Sequence, residues 1–275
     1  MILVTGATGN VGQEVVRALL RAGEPVRALV RSQDQAVPAG AEAVTGDLNR
    51  PASLGPALAG ARGLFLLSGY ADMPGLLAAA GRAGIERVVL LSGGAAVATG
   101  PANPISEYML TSEDAVRRSG LAWTFLRPYE FMSNALRWAP QLQAGDVIRA
   151  PFAGVPVAVI DPQDIAAVAA TALLASGHEG RAYRLSGPQP LLPADRVRIL
   201  ADVLGRPLRF EPQPDDEARA EMTASMPPAY VDAFFSFYGD GALDESQVLG
   251  TVSDLTGSAP GTFEAWAGRH GGAFG

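Results

Sequence analysis

The sequence contains no cysteine and no lysine, so all 21 of its basic residues are arginine. Without cysteine there is no disulfide, no thiolate nucleophile and no thiolate metal site. Without lysine there is no Schiff base and no ammonium group to act as a general base. Histidine is scarce as well: His178 falls in a loop and His270 near the end of the sequence, with no ligand spacing between them, so no metal site is expected. Neither is placed to serve a Ser-His-Asp hydrolase, and no Gly-x-Ser-x-Gly turn occurs. No apolar run reaches the length of about 18 residues that a membrane span requires, and strand-like Met1-Ile2-Leu3-Val4 leaves no room for a signal peptide, so a cytoplasmic protein is expected. Against 28 acidic residues the net charge is −7, with no basic block, which speaks against nucleic acid or an anionic membrane as partner. A small-molecule substrate is the expected partner, and a homo-oligomer is compatible with the composition.

What is present fits an ordinary folded chain: 275 residues, 48% hydrophobic and 18% charged, enough for one large α/β unit or one unit with a smaller cap. Short β-branched or leucine-rich runs at 2–5, 25–30, 43–45, 63–67, 87–91 and 123–126 alternate with alanine-rich helical stretches at 11–22, 52–59, 73–83 and 105–119. That rhythm predicts an α/β fold with a doubly wound parallel sheet. Gly23, Gly60, Gly84 and Gly120 each stop a helix. One further strand-helix-strand unit is expected from 155 to 185, its helix starting at Asp161-Pro162. From 187 onward the sequence predicts helices at 193–204, 215–224, 228–238 and 261–270, with strand only at 208–211. We therefore expect residues 1–187 to hold a cofactor and 188–275 to form a small, mostly helical cap over the sheet's carboxyl edge. Residues 129–155 should contribute to the pocket between them.

Gly6-Ala7-Thr8-Gly9-Asn10-Val11-Gly12 lies between the first strand and the first helix. Gly6 suits a tight turn, Gly9 lets the backbone approach a pyrophosphate, and Gly12 lets helix and strand pack closely. The helix N-terminus, with Thr8, Asn10 and Val11, adds free N–H groups for the diphosphate. Where the second strand ends, an acid would hold the ribose 2′-OH of NAD, whereas a 2′-phosphate needs a cation. The chain has Arg31-Ser32 there, predicting NADP(H) as cofactor, with a solvated loop arginine as the plain alternative. Asp47-Leu48 is read either as an adenine contact or as a cap ahead of Pro51. Leu67-Ser68-Gly69 and Leu91-Ser92-Gly93 close the fourth and fifth strands, beside the expected ribose and nicotinamide.

These segments, with Val26-Arg27-Ala28-Leu29-Val30-Arg31, Gly46-Asp47-Leu48 and the run from Ser119 to Pro128, resemble the NmrA-like branch of the atypical short-chain dehydrogenase/reductases. Phe131-Met132-Ser133-Asn134 and the run from Asp164 to Ala169 are similar to the same group, so the resemblance spans residues 1–190. It implies an NADP(H)-binding Rossmann unit with a substrate cap, in a branch that holds quinone and dye reductases beside non-catalytic cofactor sensors. The wider superfamily pairs Ser or Thr with Tyr-x-x-x-Lys; by that pattern Ser92, Tyr108 and Ser112 are the catalytic candidates, with Ser112 standing where the lysine would be. Lacking the ammonium, Tyr108 should keep a pKa of about 10 and be a poor base at neutral pH.

Pro128, Tyr129 and Phe131 follow the sixth strand and are expected beside the nicotinamide; Gly93, Tyr108, Tyr129, Phe131 and Phe152 are expected around a flat, apolar substrate slot. The expected function is NADPH-dependent hydride transfer to a small conjugated acceptor, quinone-like or a natural-product intermediate. The alternatives are an NADP sensor that catalyses nothing, and an isomerase or cyclase using Tyr108 or Glu130 as acid.

Overall fold

A strand buried on both faces has no polar side to show, and runs such as Gly63-Leu64-Phe65-Leu66-Leu67 meet that condition. In the computed structural model, which describes residues 1–275, the first six strands are β1 (Ile2–Val4), β2 (Val26–Val30), β3 (Glu42–Thr45), β4 (Gly63–Leu67), β5 (Arg87–Leu91) and β6 (Ala122–Pro128). Between them run α1 (Gly12–Arg21), α2 (Gly55–Leu58), α3 (Met73–Arg82) and α4 (Pro104–Arg118). Then come α5 (Ala139–Ala144), β7 (Val147–Ala150), α6 (Pro162–Leu174) and β8 (Arg181–Leu185). Asp161 caps α6 by accepting from the N–H of Gln163 at 2.9 Å, as the Asp-Pro pair predicts.

The seven-stranded sheet is parallel throughout, in the order β3-β2-β1-β4-β5-β6-β8, with the reversal of winding next to β1 that creates a crevice at the carboxyl edge. Val15, Val16 and Leu19 of α1 and Ile165, Val168 and Ala169 of α6 cover one face. Leu76 and Leu77 of α3 with Val116 of α4 cover the other.

Past β8 the chain builds the cap from α7 (Pro193–Leu204), β9 (Arg209–Pro212), α8 (Asp215–Ser225), α9 (Pro228–Phe234), α10 (Thr251–Thr256) and α11 (Phe263–His270). One wide π turn, Phe235–Gly239, continues α9. Trp266, Phe263 and Val197 pack against Met132, Trp138 and Ile148, so a third core joins the segment after β6 to the last eighty-odd residues. β7 pairs in parallel with β9, making a second, two-stranded sheet that the sequence reading did not anticipate.

The first strand of the expected 155–185 unit does not join the large sheet. Residues 157–160 are buried and extended, but each neighbour is a different segment. Val157 exchanges hydrogen bonds with Leu191, Ala158 donates to the carbonyl of Glu245 at 2.8 Å, and Ile160 donates to that of Glu130 at 2.9 Å. Gly187 lies so close that a Cβ there would stand 1.9 Å from the carbonyl oxygen of Val159. The segment is a peg that fastens cap to sheet. No helix is long and apolar enough to cross a membrane.

Candidate active site

The turn after β1 has the geometry that pyrophosphate requires. Gly6 has φ +60°, open to glycine at little cost. A Cβ on Gly12 would lie 2.0 Å from the carbonyl oxygen of Gly6, so α1 can start this close to the strand only with glycine there. At Gly9 the same test gives 3.3 Å, tight but not prohibitive. The N–H groups of Thr8, Asn10, Val11 and Gly12 are left without backbone acceptors, and they point from the positive end of the helix. Four spare donors beside a bare backbone are what a diphosphate needs.

Arg31 stands just past β2, exposed and in no ion pair; only its N–H is engaged, donating to Gln35 Oε1 at 2.9 Å. Ser32 beside it is exposed too. Asp47 folds its own loop, its carboxylate accepting from the N–H of Asn49 at 2.9 Å and meeting Arg50 at 3.4 Å, while Leu48 packs on the core. Leu67 seats its side chain against Gly6, and Ser68 donates to the carbonyl of Leu91 at 3.0 Å. Tyr70, unremarked in the sequence, lies over this groove near Thr5 and Arg31; burial raises its pKa against their pull.

The three residues placed in a catalytic group do not converge. Ser92 donates to Glu113 Oε1 at 2.8 Å, away from Tyr108. Glu113 is fully buried and takes a two-point contact from Arg127, at 2.8 and 2.6 Å, plus Arg117 at 2.8 Å. Burial works against its charge, but Arg127, Ser92 and Arg117 together hold its pKa below the ordinary carboxylate value. Ser112 is occupied by backbone, donating to the Tyr108 carbonyl at 2.7 Å and accepting from the N–H of Gly69 at 3.0 Å. Tyr108 rests against Gly69 on the wall of a groove between α3 and α4. Its pKa lies above the expected 10, because burial, then nearby Tyr230, disfavour the phenolate.

A cavity of about 610 Å³ lies between the segment after β6 and the cap. Trp138, Phe152, Met222, Met226, Phe234 and Tyr238 give it apolar walls, and Glu130, Glu221, Arg137, Arg149 and Arg196 give it charge. Phe152 is the one non-glycine residue with positive φ, +56°, and its ring meets Phe235 edge-on at 5.0 Å. Tyr129 and Phe131 are not on these walls. Tyr129 is fully buried, with Arg184 donating to its hydroxyl at 2.7 Å, and Phe131 packs on the core beneath α6. Gly93 sits under Met109 at the end of β5.

Two acidic residues come together at the junction of cap and sheet, and of these Glu130 lines the cavity. Glu130 accepts from Arg137 at 2.8 Å and Arg196 at 3.2 Å. Those guanidiniums outweigh burial and keep it ionised, so it is an acceptor and not a proton donor at neutral pH. Glu245 arrives from the cap, 4% exposed. Burial first and the Glu130 carboxylate second push its pKa up to about 8, against the N–H of Glu130 and the hydroxyl of Tyr238. Neither the loop position of Glu245 nor its neighbours in sequence marked it in advance.

Fold and cradle together define a dinucleotide-binding Rossmann protein. Residues 6–176 match the NAD(P)H-binding family. Over 100% of this chain and 99% of the relative, the sequence is 42% identical to the (4-alkanoyl-5-oxo-2,5-dihydrofuran-3-yl)methyl phosphate reductase of Streptomyces griseus. It is 36% identical, with the same coverage, to the NAD(P)H azoreductase of Xenophilus azovorans. Among solved structures, Citrobacter sp. triphenylmethane reductase complexed with NADP(H) superposes with a TM-score of 0.77 at 26% identity, over 96% of this chain and 98% of that one. The chain belongs to the NAD(P)H-binding family and is an NAD(P)H-dependent reductase.

Proposed function

We propose that the chain uses NADPH to reduce a small conjugated carbonyl acceptor carrying an anionic, phosphate-like arm, bound in the cavity beneath the cap. The observation that carries this reading is Arg196. Its side chain is 8% exposed, it stacks over Trp138 at 5.6 Å, and its Nε has no hydrogen-bond partner although it is buried. A buried guanidinium with an unspent donor is costly unless something accepts from it. Arg137 and Arg196 share the single carboxylate of Glu130, leaving one positive charge in excess within that cluster. Arg149 also lines the cavity, its guanidinium paired with Glu217 at 2.6 Å. The phosphate ester in the name of the Streptomyces relative fits the same donor set.

The apolar walls would exclude water around a flat ring while the guanidiniums fix its polar end. Bound NADPH supplies the hydride. Arg31, unpaired at the end of β2, supports the 2′-phosphated form of the cofactor over NADH.

The test is NADPH oxidation with two matched butenolides, one bearing a methyl phosphate and the other a free hydroxymethyl group. The phosphorylated acceptor should give the higher kcat/KM, and Arg196→Met should lower it about tenfold to a hundredfold, as expected for a charged hydrogen bond of about 1.5–3 kcal/mol. Arg31→Asp should weaken NADPH by at least about tenfold. Equal rates for the two butenolides would remove the anionic arm. Tight NADP binding with no turnover of any acceptor would instead support a non-catalytic sensor.

A further inference from the structure

Glu245 is a buried carboxyl group with no ion pair, a costly arrangement that packing alone does not require. Its place is fixed from three sides. The backbone carbonyl accepts from Ala158 at 2.8 Å, and Oε2 accepts from the N–H of Glu130 at 3.2 Å and from the hydroxyl of Tyr238 at 3.2 Å. Oε1 takes no hydrogen bond from the chain. It lies over Gly94, where a Cβ would stand only 2.4 Å from it, just past the carboxyl end of β5. In a doubly wound sheet that edge is where ligands are bound. The two oxygens therefore differ: Oε2 accepts two hydrogen bonds, while Oε1 accepts none and lies against Gly94 just past the end of β5.

We propose that Glu245, brought from the cap to the end of β5, donates the proton that completes reduction of the acceptor, with Tyr238 and the N–H of Glu130 positioning it. The proposal rests on the reductase reading above. When hydride adds to the electrophilic carbon, the acceptor's π electrons move onto its carbonyl oxygen. The O–H bond at Glu245 Oε1 breaks as an O–H bond forms on that oxygen, so one hydride and one proton give a reduced product of the same charge as the acceptor. The carboxylate left behind faces the ionised Glu130, and that repulsion drives it to recover a proton from water when product leaves. A protonated acid here accounts for a reductase whose tyrosine has no lysine beside it.

The groups that set the titration come from every side. Glu130, from the segment after β6, raises the pKa of Glu245; Tyr238 and the N–H of Glu130 lower it, and Arg184 of β8 lowers it less. Asp244 is held ionised by Ser246, and Tyr129 beneath them stays protonated. With an acceptor whose product must be protonated, the wild-type rate should fall as pH rises through about 8. Glu245→Gln keeps the shape but not the acid. It should lose a hundredfold or more in kcat, lose the alkaline limb and retain NADPH affinity. Tyr238→Phe removes one donor to the ionised form, so its alkaline limb should move to higher pH with most of kcat kept. Infrared difference spectra at pH 7 should show a protonated carboxyl band in the wild type that Glu245→Gln lacks, a readout independent of turnover.

Glu245→Gln with wild-type kcat and an unchanged pH limb overturns the inference and leaves the reductase reading standing. So does absence of the carboxyl band at pH 7. A wild type that binds NADPH but reduces no acceptor overturns both together.

Discussion

Ser92 and Glu113 show how a side chain typical of catalysis can be held by structure. The carboxylate of Glu113 is buried under two arginines, and Ser92 supplies one of its remaining hydrogen bonds. Removing one partner of a buried ion pair leaves the other charge stranded, which costs about 3–5 kcal/mol. Glu113→Ala should lower stability by that amount in urea titrations. Ser92→Ala should cost about 1.5–3 kcal/mol, the worth of a hydrogen bond to a charged group, and leave kcat within a few-fold of wild type. A Ser92→Ala enzyme of full stability but a hundredfold lower kcat would return Ser92 to the chemistry.

At the level of elements, the turn between β1 and α1 makes a graded prediction. Gly12→Ala forces a Cβ to within 2.0 Å of the Gly6 backbone, so helix and strand must part; NADPH binding should be abolished and the melting temperature lowered. Gly9→Ala meets only a 3.3 Å contact and should weaken binding less. If calorimetry ranks the two the other way, the close approach is not what the cradle depends on. This turn was legible in the sequence because its geometry admits glycine at fixed spacings, and β1, β4 and β5 were legible because strands buried on both faces are near-continuous apolar runs. Residues 155–160 have the same texture but meet four separate partners instead of one neighbouring strand, which hydrophobicity cannot distinguish. β7 and β9 escaped notice as a pair because each is short and the match between Val147 and Arg209 spans sixty-odd residues. Glu245 lies in irregular chain, and its burial is imposed by Gly94, Ala158 and Glu130, all distant in sequence.

For the whole molecule, opposed carboxyl shifts give stability a defined pH dependence. Asp164 and Glu245 have folded pKa values raised by burial, to about 6 and about 8, so the folded state holds their protons more tightly than the unfolded chain. Their contribution is complete at low pH and is lost as pH climbs from about 4 through those values. Glu113 and Glu130 are shifted the other way, the arginines around them outweighing burial, and their contribution is lost as pH falls below about 4.5. The melting temperature should therefore peak near pH 5 and decline toward pH 8, and Glu245→Gln should flatten the upper part of that decline. Scanning calorimetry from pH 4 to 9 would decide it; a melting temperature that rises from pH 5 to 8 contradicts the assignment.

The peg at 157–160 has a consequence for the order in which the chain can finish folding. During synthesis the seven strands are all in hand once β8 emerges, yet Val157 still waits for Leu191 and Ala158 for the carbonyl of Glu245. Until residue 245 arrives, the edge of the sheet carries an open seam with a buried N–H unanswered, and the residue that closes the seam through its main chain is the one whose side chain then reaches the end of β5. Completion of the fold and the sealing of cap to sheet are thus a single late event, and a nascent chain stalled short of it would hold a dinucleotide cradle beside an unsealed cap.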